Sequence, residues 1–229
     1  MALLAVNTME NNIREVRELS AKLMSYVKST YAPIPDYVDA FTELVKYPIR
    51  VRVTKFSRIS SIGNRVDRRY IGALLTFQRE ADTGSVKFAE VVLDSEKPHK
   101  DQVYALLLSF GRLLTDNITP APVAESQYYP IYLEYSADLD GHNSKSAETK
   151  SIVFAILSII SDNEILTALM QHSNIYKIAE RFELPPSAIK TRVLLGVHTE
   201  QNEEDISEIT PQQTPYVSEK PLKQDNKAN

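Results

Sequence analysis

The stretch Gln102-Val103-Tyr104-Ala105-Leu106-Leu107-Leu108-Ser109-Phe110-Gly111-Arg112-Leu113-Leu114 decides how the rest of the chain is read. It is apolar on nearly every side, and a helix of that kind is a buried one, around which a domain packs. At about 13 residues it is too short to span a bilayer, which takes roughly 20. A β-rich segment ending at Leu93 and a polar tether, Asp94–Asp101, lead into it. The expected fold is therefore α+β, a small three-stranded sheet packed on helices.

Composition sets the outer bounds. The chain has 229 residues, 43% hydrophobic and 24% charged, as in ordinary globular proteins. The formal net charge of -4 gives no global field that recruits nucleic acid, so a basic site has to be local. Cysteine is absent, which excludes disulfides, thiol catalysis and thiolate metal sites. Met1–Val6 is apolar without a basic leader, and no run of 18 apolar residues occurs. The expectation is a cytoplasmic protein with no membrane partner.

On either side of the central stretch the pattern predicts a series of elements. Ile13, Val16, Leu19, Leu23 and Val27 recur at helical spacing, predicting an amphipathic helix from a Thr8 cap to about Thr30. That helix docks on the domain, pairs with a second copy in a homodimer, or serves as a partner-binding arm. Pro33 and Pro35 break it, and a second helix is expected over about 36–46. Ile49-Arg-Val-Arg-Val-Thr54 alternates as a half-buried strand does, with Arg50 and Arg52 on the open face. The loop 55–69 carries Lys55, Arg58, Arg65, Arg68 and Arg69 against the single acid Asp67. Two further strands are expected over about 70–77 and 86–93, joined by a polar hairpin. Beyond the central helix, Tyr128, Tyr129, Tyr132 and Tyr135 lie in a strand or an extended cover, where they would line a groove or simply pack their rings. Ser144–Ile160 reads as a helix with a broad apolar face, and Ser161 or Asp162 caps another, reaching Gln171.

Residues 175–195 have the spacing of a helix-turn-helix, with Leu184 at the turn and Ile189 and Val193 facing inward. Ser187, Lys190, Thr191 and Arg192 then face outward, toward phosphates or base edges. From Val197 the chain turns acidic and proline-containing, which predicts disorder over 197–229. The expected organisation is an N-terminal helix (1–35), an α+β core (36–160), a helical segment (161–196) and this tail.

The motif YALLLSFGRLL, set behind strands and a polar tether, resembles the active-site helix of the ImmA/IrrE-type zinc metalloproteases, which reads LAHELGHLL. Gly111, Leu113 and Leu114 match. The first histidine falls on Leu108, the catalytic glutamate on Ser109 and the second histidine on Arg112. AETKSIVFAILSII resembles the family's following helix and places its zinc-binding glutamate at Glu148, with Val153 where the family has asparagine. The resemblance implies a zincin-like core with a helical segment behind it. The H-E-x-x-H chemistry needs two imidazoles one turn apart and a carboxylate base. Leucine has no lone pair, serine is no base at neutral pH, and arginine is a fixed cation. No metal and no cofactor are therefore expected, and the resemblance implies a pseudoenzyme.

Family members cleave DNA-binding repressors, often on mobile elements. The leading expectation is thus a protein-binding regulator of such a repressor. The alternative is a nucleic-acid-binding regulator using 175–195 and the basic segment 50–69. An enzyme with another site is the third reading, although His99, His142, His172 and His198 are scattered and six glycines form no phosphate-cradling loop.

Overall fold

The computed structural model describes residues 2–27, 29–45, 48–58, 70–79, 82–83, 86–115, 128–137, 139, 147–172 and 174–196. These residues form α1 (Ala2–Tyr26), α2 (Ile34–Thr42), β1 (Ile49–Thr54), a 3-10 turn (Phe56–Arg58), β2 (Ile71–Arg79) and β3 (Val86–Asp94). They continue as α3 (His99–Thr115), β4 (Tyr129–Tyr132), α4 (Ala147–Ile159), α5 (Asp162–Gln171), α6 (Ile175–Phe182) and α7 (Pro186–Leu194). The fold is α+β. The sheet has four strands rather than the expected three, in the order β1-β3-β2-β4, because part of the tyrosine-rich stretch pairs as a strand. β1 lies parallel to β3, whereas β2 is antiparallel to both β3 and β4.

Period-two alternation splits the sheet into two faces. Ile49, Ala73, Leu75, Ala89, Val91 and Leu93 turn toward the helices and join the main core. Leu74 and Val92 turn the other way and form a second, small core with Ile71 and Phe56, flanked by Tyr128 and Tyr132. α3 fills the space over the first face. Val103 through Leu108, together with Phe110, are at most 2% exposed. Each such side chain stabilises the fold by about 1.5–3 kcal/mol relative to leaving it in water. Phe110 stacks on Phe41 of α2, with ring centroids 3.8 Å apart.

Two glycines let the layers close. A Cβ at Gly72 would sit 2.7 Å from the Ala105 Cβ, so β2 approaches α3 more closely than a side chain permits. A Cβ at Gly111 would sit 2.7 Å from the Ser151 Cα, and this is where α3 and α4 cross.

α1 begins well before Thr8 and ends at Tyr26. Its face Val16, Ser20, Leu23 and Val27 is buried, with α4 and α2 as its neighbours, so this stretch is docked on the domain. The prolines act differently from expectation. Pro33 caps α2 and Pro35 lies in its first turn, where the missing N–H has no helical partner to lose. Ser161 caps α5 in a capping box, its hydroxyl receiving the Glu164 N–H while the Glu164 carboxylate receives the Ser161 N–H. Ile178, Ala179, Leu184, Ala188 and Ile189 share the main core with α1 and α3. The described residues therefore belong to one compact unit that ends at Val197. Among them no single helix is long and apolar enough to cross a membrane. The expectations for Arg65, Arg68, Arg69 and the acidic tail lie outside the described residues.

Candidate functional site

The positions that the sequence resemblance sets against a metalloprotease centre lie on α3 and α4. Leu108 is 2% exposed and packs in the core. Ser109 is completely buried, and its hydroxyl donates to the Ala105 carbonyl at 2.8 Å, the usual way a helix absorbs a buried serine. Arg112 lies partly buried one turn beyond Leu108. Glu148 is exposed in the first turn of α4, where a carboxylate favours the positive end of the helix. Among the described residues no group of three or more His, Asp or Glu side chains is placed to hold a metal ion.

The basic set divides. Arg50 and Arg52 project from the outer face of β1, as the alternation predicts. Arg50 lies over the Phe88 ring at 4.1 Å, a cation–π contact. Arg52 pairs with Glu90 at 3.4 Å and donates to the Tyr128 hydroxyl at 3.0 Å, while that hydroxyl donates to Glu90 at 2.9 Å. This three-membered bridge joins β1, β3 and the entry to β4, and partial burial together with Glu90 pushes the Tyr128 hydroxyl pKa up. Lys55 pairs with Glu96 at 3.3 Å, and Arg58 is exposed at the end of the 3-10 turn. Glu90 was not singled out by sequence reasoning. Its signal was a lone acid inside the apolar strand β3, on the same side of the pleat as Val92.

The four tyrosines do not line one groove. Tyr129 pairs with Leu75 and Ile131 with Ala73, so those side chains lean to the helical side. Tyr128 and Tyr132 take the opposite side, against the second core. Tyr135 follows the strand and stacks on Tyr104 at 4.3 Å. Burial pushes the Tyr135 pKa well above the usual phenol range, with Asp101 adding to the shift. Tyr128 and Tyr135 have bonded hydroxyls, whereas Tyr129 is exposed.

The α6–α7 unit corrects the outward-facing set. Lys190 is exposed, but Thr191 and Arg192 are buried and Val193 is not. The buried residues of α7 are Ala188, Ile189, Thr191 and Arg192, so Ile189 faces inward as expected, while Arg192 takes the inward place expected of Val193. The Thr191 hydroxyl donates to the Tyr135 carbonyl and receives the Ala137 N–H. Arg192 donates from Nε to the Ile160 carbonyl at 2.8 Å and from Nη1 to the Gly196 carbonyl at 2.8 Å, and pairs through Nη2 with Asp162. Burial pushes its guanidinium pKa down, and Asp162 opposes that shift. Arg17 of α1 reaches the same carboxylate with bonds of 2.7 and 2.9 Å, and the Leu195 carbonyl at 2.9 Å. Two arginines on one carboxylate thus tie α1, α5 and the end of α7 together. In the sequence Arg17 carried no mark, and Asp162 stood only as an alternative helix cap. The only signal was Arg192 lying three residues past Ile189 on an apolar stripe. Beside this clamp lies a cavity of about 160 Å³, lined by Arg17, Ser20, Met24, Ser158, Asp162 and Glu164 among others. Its two deepest hydroxyls, Ser20 and Ser158, bond each other at 3.0 Å.

Among the described residues, the exposed surface includes β1 and its continuation, with Arg50, Arg52, Lys55 and Arg58, and the outer faces of the last helices. There Met170 is 87% exposed, Leu194 67% and Tyr176 66%. Comparison of the chain with protein-family models, with curated proteins and with solved structures finds no match.

Proposed function

We propose that this protein is a non-catalytic relative of the ImmA/IrrE-type scaffold, a cytoplasmic protein-binding regulator whose candidate partner is a DNA-binding repressor. In this reading α3 and α4 with the sheet stand for the zincin-like core, and α6–α7 for the helix-turn-helix-like segment behind it. The observation that carries it is the fate of the family's catalytic positions. Leu108 and Ser109 are core residues, and Arg112 brings a cation where a metal ligand would stand. On this alignment the helix lacks the zinc ligands and the base while serving as a packing centre. Large apolar side chains stand exposed on α5, α6 and α7, where a protein partner would cover them.

The test is affinity capture of the tagged full chain from cells that make it, with and without nuclease. A stoichiometric protein partner that survives nuclease treatment supports the reading. Loss of every captured protein on nuclease treatment contradicts it.

The second reading is nucleic-acid binding, favoured by one observation: Arg50, Arg52, Lys55 and Arg58 sit along one rim and are exposed. Burial of Arg192 removes a cation from the opposing set. A steep fall of heparin retention with salt, as several phosphate contacts require, would favour this reading.

A further inference from the structure

The open rim of β1 has a polarity that the hydrogen bonds define. The Pro48 carbonyl accepts the Ala89 N–H at 3.1 Å and the Thr54 carbonyl accepts the Ser95 N–H at 3.0 Å. In a parallel pair, alternate residues turn both backbone polar groups to the same neighbour. Pro48, Arg50, Arg52 and Thr54 therefore face β3, while Ile49, Val51 and Val53 turn their N–H and C=O groups away from it. β1 ends the sheet, and no described strand pairs with that side. Ile49 is buried, but Val53 is 46% exposed and the Arg52 side chain 49%, so among the described residues nothing covers these side chains over the second half of the edge. A free edge of this kind is a template for another strand.

We propose that the edge of β1 from Val51 to Lys55 accepts an extended peptide, alternating acidic and apolar residues, as a fifth strand. The Val51 and Val53 backbone groups supply the pairing. Residues set opposite Arg50 and Arg52 fall on the outer face, where Arg50 selects acids beside an Arg52 already shared with Glu90. Residues set opposite Val51 and Val53 fall on the apolar side. Arg50 is held over Phe88, and Arg58 continues the basic rim past Lys55. A second copy of β1 fits poorly. Symmetric antiparallel pairing about Val51 would set Arg50 against the partner copy's Arg52, like charge on like. Nucleic acid fits less well than peptide, because Glu90 and Glu96 sit among the cations and the unpaired backbone groups call for another backbone.

This proposal rests on the protein-binding reading and names the chemistry of the bound segment. The test uses the full chain, a labelled peptide of alternating Glu and Val, its Lys/Val counterpart, a Glu/Val peptide N-methylated at every second residue, and a short single-stranded oligonucleotide. Binding is followed by anisotropy and by the amide resonances of Val51 and Val53. Saturable binding of the acidic peptide, about tenfold or more tighter than the lysine peptide and lost on N-methylation, is expected. Val53→Pro should abolish it. Proline is tolerated on an edge strand where the N–H faces solvent, so the fold should survive. Arg50→Glu should weaken the acidic peptide and strengthen the lysine one. No saturable binding, binding unaffected by both N-methylation and Val53→Pro, or an oligonucleotide that binds more tightly than the peptide overturns the proposal. Capture separates the two claims. A nuclease-resistant partner still held by Val53→Pro removes the edge and leaves the protein-binding reading standing. Absence of any such partner removes that reading.

Discussion

Gly111→Ala sets helix propensity against packing, and the structure says which wins. In a helix interior, alanine is favoured over glycine by about 1 kcal/mol. Here the new methyl would lie 2.7 Å from the Ser151 Cα, 3.0 Å from its carbonyl oxygen and 3.1 Å from the Phe154 Cβ. Ordinary contact begins near 3.4 Å, so α3 and α4 must separate by 3.4 minus 2.7, or 0.7 Å. Two of the three obstructing atoms are backbone, and no rotamer change relieves them. Overpacking of this kind costs about 1–3 kcal/mol, and a backbone obstruction belongs at the upper end. Subtracting the propensity gain leaves a net loss of about 2 kcal/mol, a fall in Tm of roughly 4–8 °C for a unit of this size. Urea titration followed by far-UV circular dichroism measures it, with an unchanged slope indicating that the unfolding transition is the same. A variant as stable as the parent, or about 1 kcal/mol more stable, would mean that α3 and α4 do not approach this closely.

Two more perturbations probe the charged groups. Arg192→Ala should cost about 3 kcal/mol, the lower end for a broken buried pair, because Asp162 keeps Arg17 while the Ile160 carbonyl loses its donor. Arg192→Lys should be nearly as damaging, since a lysine cannot reproduce the three-way fork, and a loss under about 1 kcal/mol in urea melts would refute the clamp. Glu134 has its pKa raised above 4.5, first by burial and then by Glu148, so its proton binds more tightly in the folded state. Stability from this group is present at acid pH and is lost as pH rises through the raised pKa. Glu134→Gln should therefore raise Tm at pH 7 and lose that advantage in acid, and equal effects at both pH values would contradict the assignment.

Strong local pattern made some elements legible. The alternation of Ile49–Thr54 gave β1 and its exposed arginines, and the all-apolar run around Leu106 gave α3 and its burial. Tertiary partners decided the rest. β4 is four residues containing a proline, and only pairing with β2, a strand more than fifty residues earlier, makes it a strand. The phase of α7 turned on Arg192, whose burial depends on a carboxylate thirty residues away and on the backbone carbonyl of Ile160, just past α4. Read locally, an arginine belongs outside and Val193 inside, and the structure reverses both. The pleat divided the tyrosines because Tyr128 and Tyr132 fall on one side of β4 and Tyr129 on the other, which spacing alone does not connect to a partner surface.

The most direct test of the central claim is the zinc content of the full chain, purified without chelator and measured by elemental analysis against protein concentration. On the proposed alignment, which sets Leu108, Ser109 and Arg112 against ligand, base and ligand, the account predicts less than about a tenth of an equivalent. A value near one equivalent would contradict it, because a metal centre would then have been rebuilt from other side chains.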